Sequence, residues 1–223
     1  MKKQPEPETA HAITLADILL RPRSISQLIA RSDSAFVLRT LIILAIFSAL
    51  IGGLYGGIFS SDKVYLLHDA YKAPIVNILT VIFAYPVLVV FLRLFSGGNL
   101  SHIRAPFKKC LTVLSLSYTY IPLTLLLTAP GYVLSAMNNL GTGELIFKTL
   151  AVFAGVVSTI LLARYLHQVY GLSYFATVPI AIIIAFYMLL LSVNLLALLA
   201  PYKSQAVYLP FYSKAASALS IVD

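Results

Sequence analysis

The chain has 223 residues, 60% of them hydrophobic and only 11% charged, with a mean hydropathy of +0.91. Soluble domains average about 25% charged residues, so this composition excludes a water-soluble globule, a disordered chain, a coiled coil and a collagen. A net charge of +8 would point a soluble protein toward nucleic acid. In so apolar a chain it reads as topology, because Lys and Arg collect on cytoplasmic loops, and no nucleic-acid partner is expected.

Residues 1–13, with Pro5 and Pro7 among charges, read as a disordered tail. Residues 14–35 read as a cytoplasmic interfacial segment of short amphipathic helices. Leu15, Ile18 and Leu19 share a face of the first helix before Arg21-Pro22-Arg23 interrupts it. Ser24-Ile25-Ser26-Gln27 then has capping-box spacing, with Leu28 and Ile29 following. Arg21, Arg23 and Arg31 are candidate contacts for anionic headgroups on the cytoplasmic side. These early residues hold no apolar h-region, so the first span is expected to serve as an uncleaved anchor.

An all-α membrane domain is predicted over 36–200, with five transmembrane helices at about 37–60, 73–95, 110–136, 146–170 and 174–200, each meeting the requirement of about 20 apolar residues. Residues 201–223 read as an outer interfacial tail. Gly52, Gly53, Gly56 and Gly57 give the first span two overlapping G-x-x-x-G registers, a face on which a neighbouring helix packs closely. Pro86 in the second span and Pro122 in the third are deep enough to kink their helices. Asn77, Tyr118, Tyr120 and Asn194 are expected as interior polar groups that link helices. The third apolar stretch is too long for one crossing, and Asn138-Asn139-Leu140-Gly141 is expected as a polar outer loop. No Asp or Glu falls within the five predicted spans.

In the fourth span Arg164 and His167 share a helix face at i,i+3 spacing. They are candidates for a lipid-headgroup or anion contact, and Arg164 has the length to snorkel to the interface. Gly171-Leu172-Ser173 makes a tight hairpin of the last two spans. The chain has no Trp, and Tyr65, Tyr71, Tyr132, Tyr170, Tyr174, Tyr202, Tyr208 and Tyr212 are placed as an interfacial belt. Cys110, alone in the chain, cannot form an internal disulfide and reads as filler rather than as a palmitoylation site.

Sorting the bases sets the orientation. With the N-terminus cytoplasmic, inside segments carry Lys2, Lys3, Arg21, Arg23, Arg31, Arg39, Arg93, Arg104, Lys108, Lys109 and Arg164, eleven in all. Outside segments carry Lys63, Lys72, Lys148, Lys203 and Lys214, five in all. The prediction is N-in and C-out, in a bacterial cytoplasmic (inner) membrane. The chain has no H-E-x-x-H, G-x-S-x-G, P-loop or dinucleotide fingerprint and no metal-ligand spacing. No catalytic, metal or cofactor residues are assigned, and a non-enzymatic protein is expected.

Several short motifs resemble the divergent prokaryotic branch of the Yip (Ypt-interacting protein) domain family over residues 15–200. They are Leu19-Leu20-Arg21-Pro22 before the first span, the Gly-rich outer end of that span, and Lys72-Ala73-Pro74 opening the second. Leu94-Phe95-Ser96-Gly97-Gly98, Tyr120-Ile121-Pro122 and the tight final hairpin complete the set. The resemblance implies a five-helix bundle with a cytoplasmic N-terminus that acts through protein and membrane contacts, without enzymatic activity. The Asp-Leu-x-Gly-Pro motif of the eukaryotic GTPase adaptors is absent from this sequence, so GTPase binding is not carried over. A homo-oligomer or a membrane-protein partner is. The function expected is a scaffold, adaptor or membrane-organising subunit; the alternative is a lipid or small-solute facilitator of scramblase type.

Overall fold

A computed structural model describes residues 29, 34–59, 63–95 and 107–199. All of the secondary structure among these residues is helical, in six elements: α1 (Ser34–Phe59), α2 (Lys63–Phe95), α3 (Phe107–Leu127), α4 (Ala129–Asn138), α5 (Leu140–Tyr170) and α6 (Tyr174–Leu199). Five of them, all but α4, are long and apolar enough to cross a membrane. Arg21, Arg23, Arg31 and the tail beyond 200 lie outside the described residues. Ile29, from the predicted interfacial segment, is fully buried in the principal core.

Helix α3 is the axis of the bundle. It is the least apolar of the five spanning helices, yet 67% of its span is buried, against 17–33% for the others. In hydrocarbon this ordering is favourable: the hydroxyl-bearing helix goes inside, and the Leu- and Ile-rich helices face lipid. Around it α1 packs on α2, α2 on α6 and α6 on α5, while α3 itself touches α1, α2 and α5. The principal core joins Leu44, Leu88, Leu114, Leu166 and Ile184, one from each spanning helix. A smaller cluster at the α3–α4 end joins Ile51, Leu125 and Tyr132. Outward faces carry apolar stripes, such as Leu38, Ile42, Ile46 and Leu50 at four-residue spacing on α1.

Three helix boundaries differ from the sequence-based expectation. Helix α2 begins at Lys63 rather than 73, and α5 at Leu140 rather than 146. A charge ends a hydrocarbon run but does not end a helix, and the headgroup zones extend the bilayer to about 40–45 Å. Two acids thereby enter the helices, Asp69 in α2 and Glu144 in α5. The predicted helix 110–136 is broken at Thr128, and α4 is separate. Pro130 lies in the first turn of α4, where its missing N–H costs nothing, whereas inside a continuous helix it would clash with a carbonyl one turn back.

The expected outer loop at 138–141 is a single hinge residue. The Asn139 N–H donates to Ser135 O at 2.8 Å, closing α4, while its Oδ1 accepts from Gly141 N at 2.9 Å and Thr142 N at 3.3 Å, opening α5. Gly143 makes this hinge possible, because a Cβ there would lie 2.5 Å from Ala136 Cβ. At the other end of α5, Gly171 takes the left-handed conformation with φ 67°, and its N–H donates to His167 O at 3.0 Å. The Ser173 carbonyl then accepts from Ala176 and Thr177, starting α6.

Alternation of the helices sorts charge between the two ends. One end holds Arg39, Arg93, Lys108, Lys109 and Arg164, with no acid among the described residues. The other holds Lys63, Lys72 and Lys148 together with Asp69 and Glu144.

Candidate functional site

Polar groups of α3 bond to two neighbours, α1 and α5. Ser115 Oγ donates to Thr40 Oγ1 of α1 at 2.8 Å, and Thr40 Oγ1 in turn donates to Val37 O at 2.8 Å. Ser158 Oγ of α5 donates to Ser117 O at 2.8 Å. The Cys110 thiol lies 3.0 Å from the Tyr170 hydroxyl, also of α5, and is buried. The other α3 hydroxyls bond their own helix, with Thr112 donating to Lys108 O and Thr119 to Ser115 O. Tyr118 and Tyr120 are half-buried and pack against the principal core.

Asn77 Nδ2 donates to Ser48 Oγ at 2.8 Å, bridging α2 to α1. Asn194 does not lie in the interior: it is exposed on α6 and donates to Leu190 O, one turn back on the same helix, at 2.9 Å. Pro86 is on an exposed face of α2 and Pro122 is buried, and each helix continues through its proline.

The four glycines divide between faces. Gly52 and Gly56 are buried and Gly57 is exposed. A Cβ on Gly52 would stand 2.5 Å from Asp69 O and 3.0 Å from Ala73 Cβ, so α1 and α2 touch through backbone here. Gly53 is looser, with Ala70 Cβ 3.5 Å away from where a Cβ would stand. Asp69 and Lys72, nearly buried beside Gly52 and Tyr55, line a 250 Å³ pocket with Phe147 and Lys148. Lys148 Nζ pairs with Glu144 at 2.7 Å on the rim of this end. Sequence reasoning missed the pair because Asp69 and Lys72 fall before the predicted second span.

Aromatic rings close the same end. Phe147 lies 4.8 Å from Tyr55, 6.0 Å from Phe59 and 5.2 Å from Tyr132, measured between ring centroids. Tyr132 is fully buried and leaves the predicted interfacial belt, because α4 folds back onto α5 and turns the ring inward. Tyr174 is exposed at the first residue of α6, and Tyr71 is exposed two turns into α2.

Arg164 and His167 separate in role. His167 Nδ1 lies 2.6 Å from Leu172 O, and since a carbonyl only accepts, Nδ1 carries the proton. Its ring stacks on Tyr174 with centroids 4.1 Å apart, so His167 latches α5 to α6 across the three-residue turn. Arg164 has no ion pair among the described residues and lines a 620 Å³ groove between α5 and α6 with Tyr174, Ala163 and Ala181. A second cavity of 480 Å³ adjoins it, sharing Val156, Thr159 and Ala185 and reaching Tyr118 of α3. Among the described residues no three His, Cys, Asp or Glu side chains come together to hold a metal. No family model, curated protein or solved structure matches the chain.

Proposed function

We propose that this integral, multi-pass membrane protein is a non-enzymatic scaffold, adaptor or membrane-organising subunit that works through its outer surface. The observation that carries the reading is the closure of the bundle around α3. Ser115 is bonded to Thr40 of α1, Ser158 of α5 donates to the Ser117 carbonyl, and the Cys110 thiol lies against the Tyr170 hydroxyl of α5. What the molecule presents to its surroundings is four apolar faces and two charged ends. The motifs shared with the Yip family favour the same role, as does a homo-oligomer or membrane-protein partner. The basic end, with no acid among the described residues, fits a cytoplasmic face against anionic headgroups in a bacterial inner membrane.

A lipid conduit draws on the α5–α6 groove. From Ala151 to Arg164 the groove follows 14 residues of α5, about 20 Å of helix against a hydrocarbon thickness of about 30 Å. It therefore stops short of a crossing path, and the scaffold reading is preferred.

Purified protein in liposomes decides between the two. The scaffold reading expects lipid scrambling and small-solute flux no faster than in protein-free vesicles. Flux that rises with protein density, and falls when Gly155→Leu fills the groove, would overturn it.

A further inference from the structure

Several features were open to a second role: the pocket beside Asp69 and Lys72, the buried Cys110 thiol, and the groove between α5 and α6. The groove carries an inference furthest. Its floor is made of small side chains, Gly155 and Ala163 on α5 facing Ala181 and Ala185 on α6. Small residues normally bring helices into contact, but here a Cβ on Gly155 would meet nothing within 4 Å. Its rim is exposed, with Val156 53%, Ile160 62% and Phe186 62% accessible, so the groove opens sideways toward the bilayer. An open trough in hydrocarbon does not stay vacant, because its lining loses dispersion contacts until something fills it.

The charge at one end selects the occupant. Arg164 lines the groove near the α5–α6 turn and faces no carboxylate among the described residues. His167, its neighbour on the helix face, is committed to Leu172 O and Tyr174. The rest of the lining is apolar apart from Ser117, Tyr118, Ser158, Thr159 and Tyr174. A single guanidinium at the mouth of an apolar trough matches a phosphate joined to a hydrocarbon chain. The length agrees, since about 20 Å of groove exceeds one leaflet of about 15 Å and falls short of two. We propose that the α5–α6 groove seats one acyl chain of an anionic glycerophospholipid, drawn from the leaflet at the α5–α6 turn, with its phosphate on Arg164. This requires only that α5 and α6 cross a bilayer, so it stands whether or not the scaffold role does.

The absence of Trp from the chain makes the test clean. Phe186→Trp places a single emitter on the groove rim, and Ile46→Trp places one on the lipid face of α1. Each variant is reconstituted in phosphatidylcholine vesicles containing either brominated phosphatidylglycerol or brominated phosphatidylcholine at equal mole fraction. At Phe186→Trp the anionic lipid is expected to quench with about fivefold higher apparent affinity, the factor corresponding to about 1 kcal/mol for one basic side chain near a membrane surface. At Ile46→Trp the two lipids quench alike. Adding Arg164→Gln to Phe186→Trp removes the preference, Arg164→Lys keeps most of it, and Gly155→Leu weakens quenching by both lipids. Equal quenching at Phe186→Trp overturns the proposal, as does a preference that survives Arg164→Gln or recurs at Ile46→Trp. Quenching lost at Phe186→Trp but kept at Ile46→Trp means that protein fills the groove, and also overturns it.

Discussion

Neighbouring residues of one type serve different ends in this bundle, and the geometry separates them. Gly52 meets the α2 backbone at Asp69, whereas Gly53 has ordinary room toward Ala70. Gly52→Ala is therefore expected to cost about 1–3 kcal/mol, the usual range for overpacking, and Gly53→Ala to leave thermal unfolding in detergent nearly unchanged. Equal melting shifts would contradict that division. The G-x-x-x-G spacing was legible in the sequence, but its partner was not, because Asp69 precedes the predicted second span. Buried hydroxyls divide in the same way. Thr40 is bonded on both sides, while Thr80 Oγ1 and Thr177 Oγ1 are buried with no partner among the described residues. Replacing Thr80 by the near-isosteric Val removes an unsatisfied group, so Thr80→Val is expected to raise the melting temperature, by up to about 1 kcal/mol in stability. Thr40→Val is expected to lower it.

Among the elements, α3 is defined by its place at the centre and α4 by the break before it. The density of Ser, Thr and Tyr from Thr112 to Thr124 was a sequence signal for an inner helix, since lipid leaves a hydroxyl-rich helix nowhere better to go. The break at Thr128 was harder to foresee. Pro130 marks it, but Pro74, Pro86, Pro122 and Pro179 all lie inside continuous helices, so proline alone did not identify the one that stops. Gly143 carried no signal at all, because its need for space comes from Ala136 across a hinge that exists only once α4 folds back. Gly143→Leu is expected to displace α4 from α5 and expose Tyr132, read as faster iodination of that tyrosine in detergent micelles. Iodination unchanged from the parent protein would show that α4 is not held there. At the opposite end of α5, His167→Ala removes the hydrogen bond to Leu172 O and the ring contact with Tyr174. The expected loss is about 1–2 kcal/mol, with faster proteolysis at Gly171-Leu172-Ser173 in detergent. An unchanged cleavage rate would argue that the three-residue turn holds without its latch.

The whole molecule is an apolar bundle whose few charges are sorted between its ends, and this sorting is the part most legible in the sequence. Arg39, Arg93, Lys108, Lys109 and Arg164, which the count of bases per loop places on one side, lie at one end of the bundle. An odd number of spans places the N-terminal end of α1 and the C-terminal end of α6 on opposite faces. A reporter fused after Asp223 should therefore be active only outside the cytoplasm, and cytoplasmic activity would contradict the proposed N-in orientation. The proposed function is less legible, because a role exerted through lipid-facing surfaces needs no sequence motif. In the proposed role those outer faces, and not the interior, do the protein's work. The most direct measurement is photocrosslinking in native membranes from single positions on exposed faces, Ile42 on α1 and Ile160 on α5, with buried Leu114 on α3 as reference. A reproducible homo-oligomer or a recurrent partner is expected from at least one exposed position, and only intramolecular products from Leu114. Monomer alone from every exposed position would contradict it.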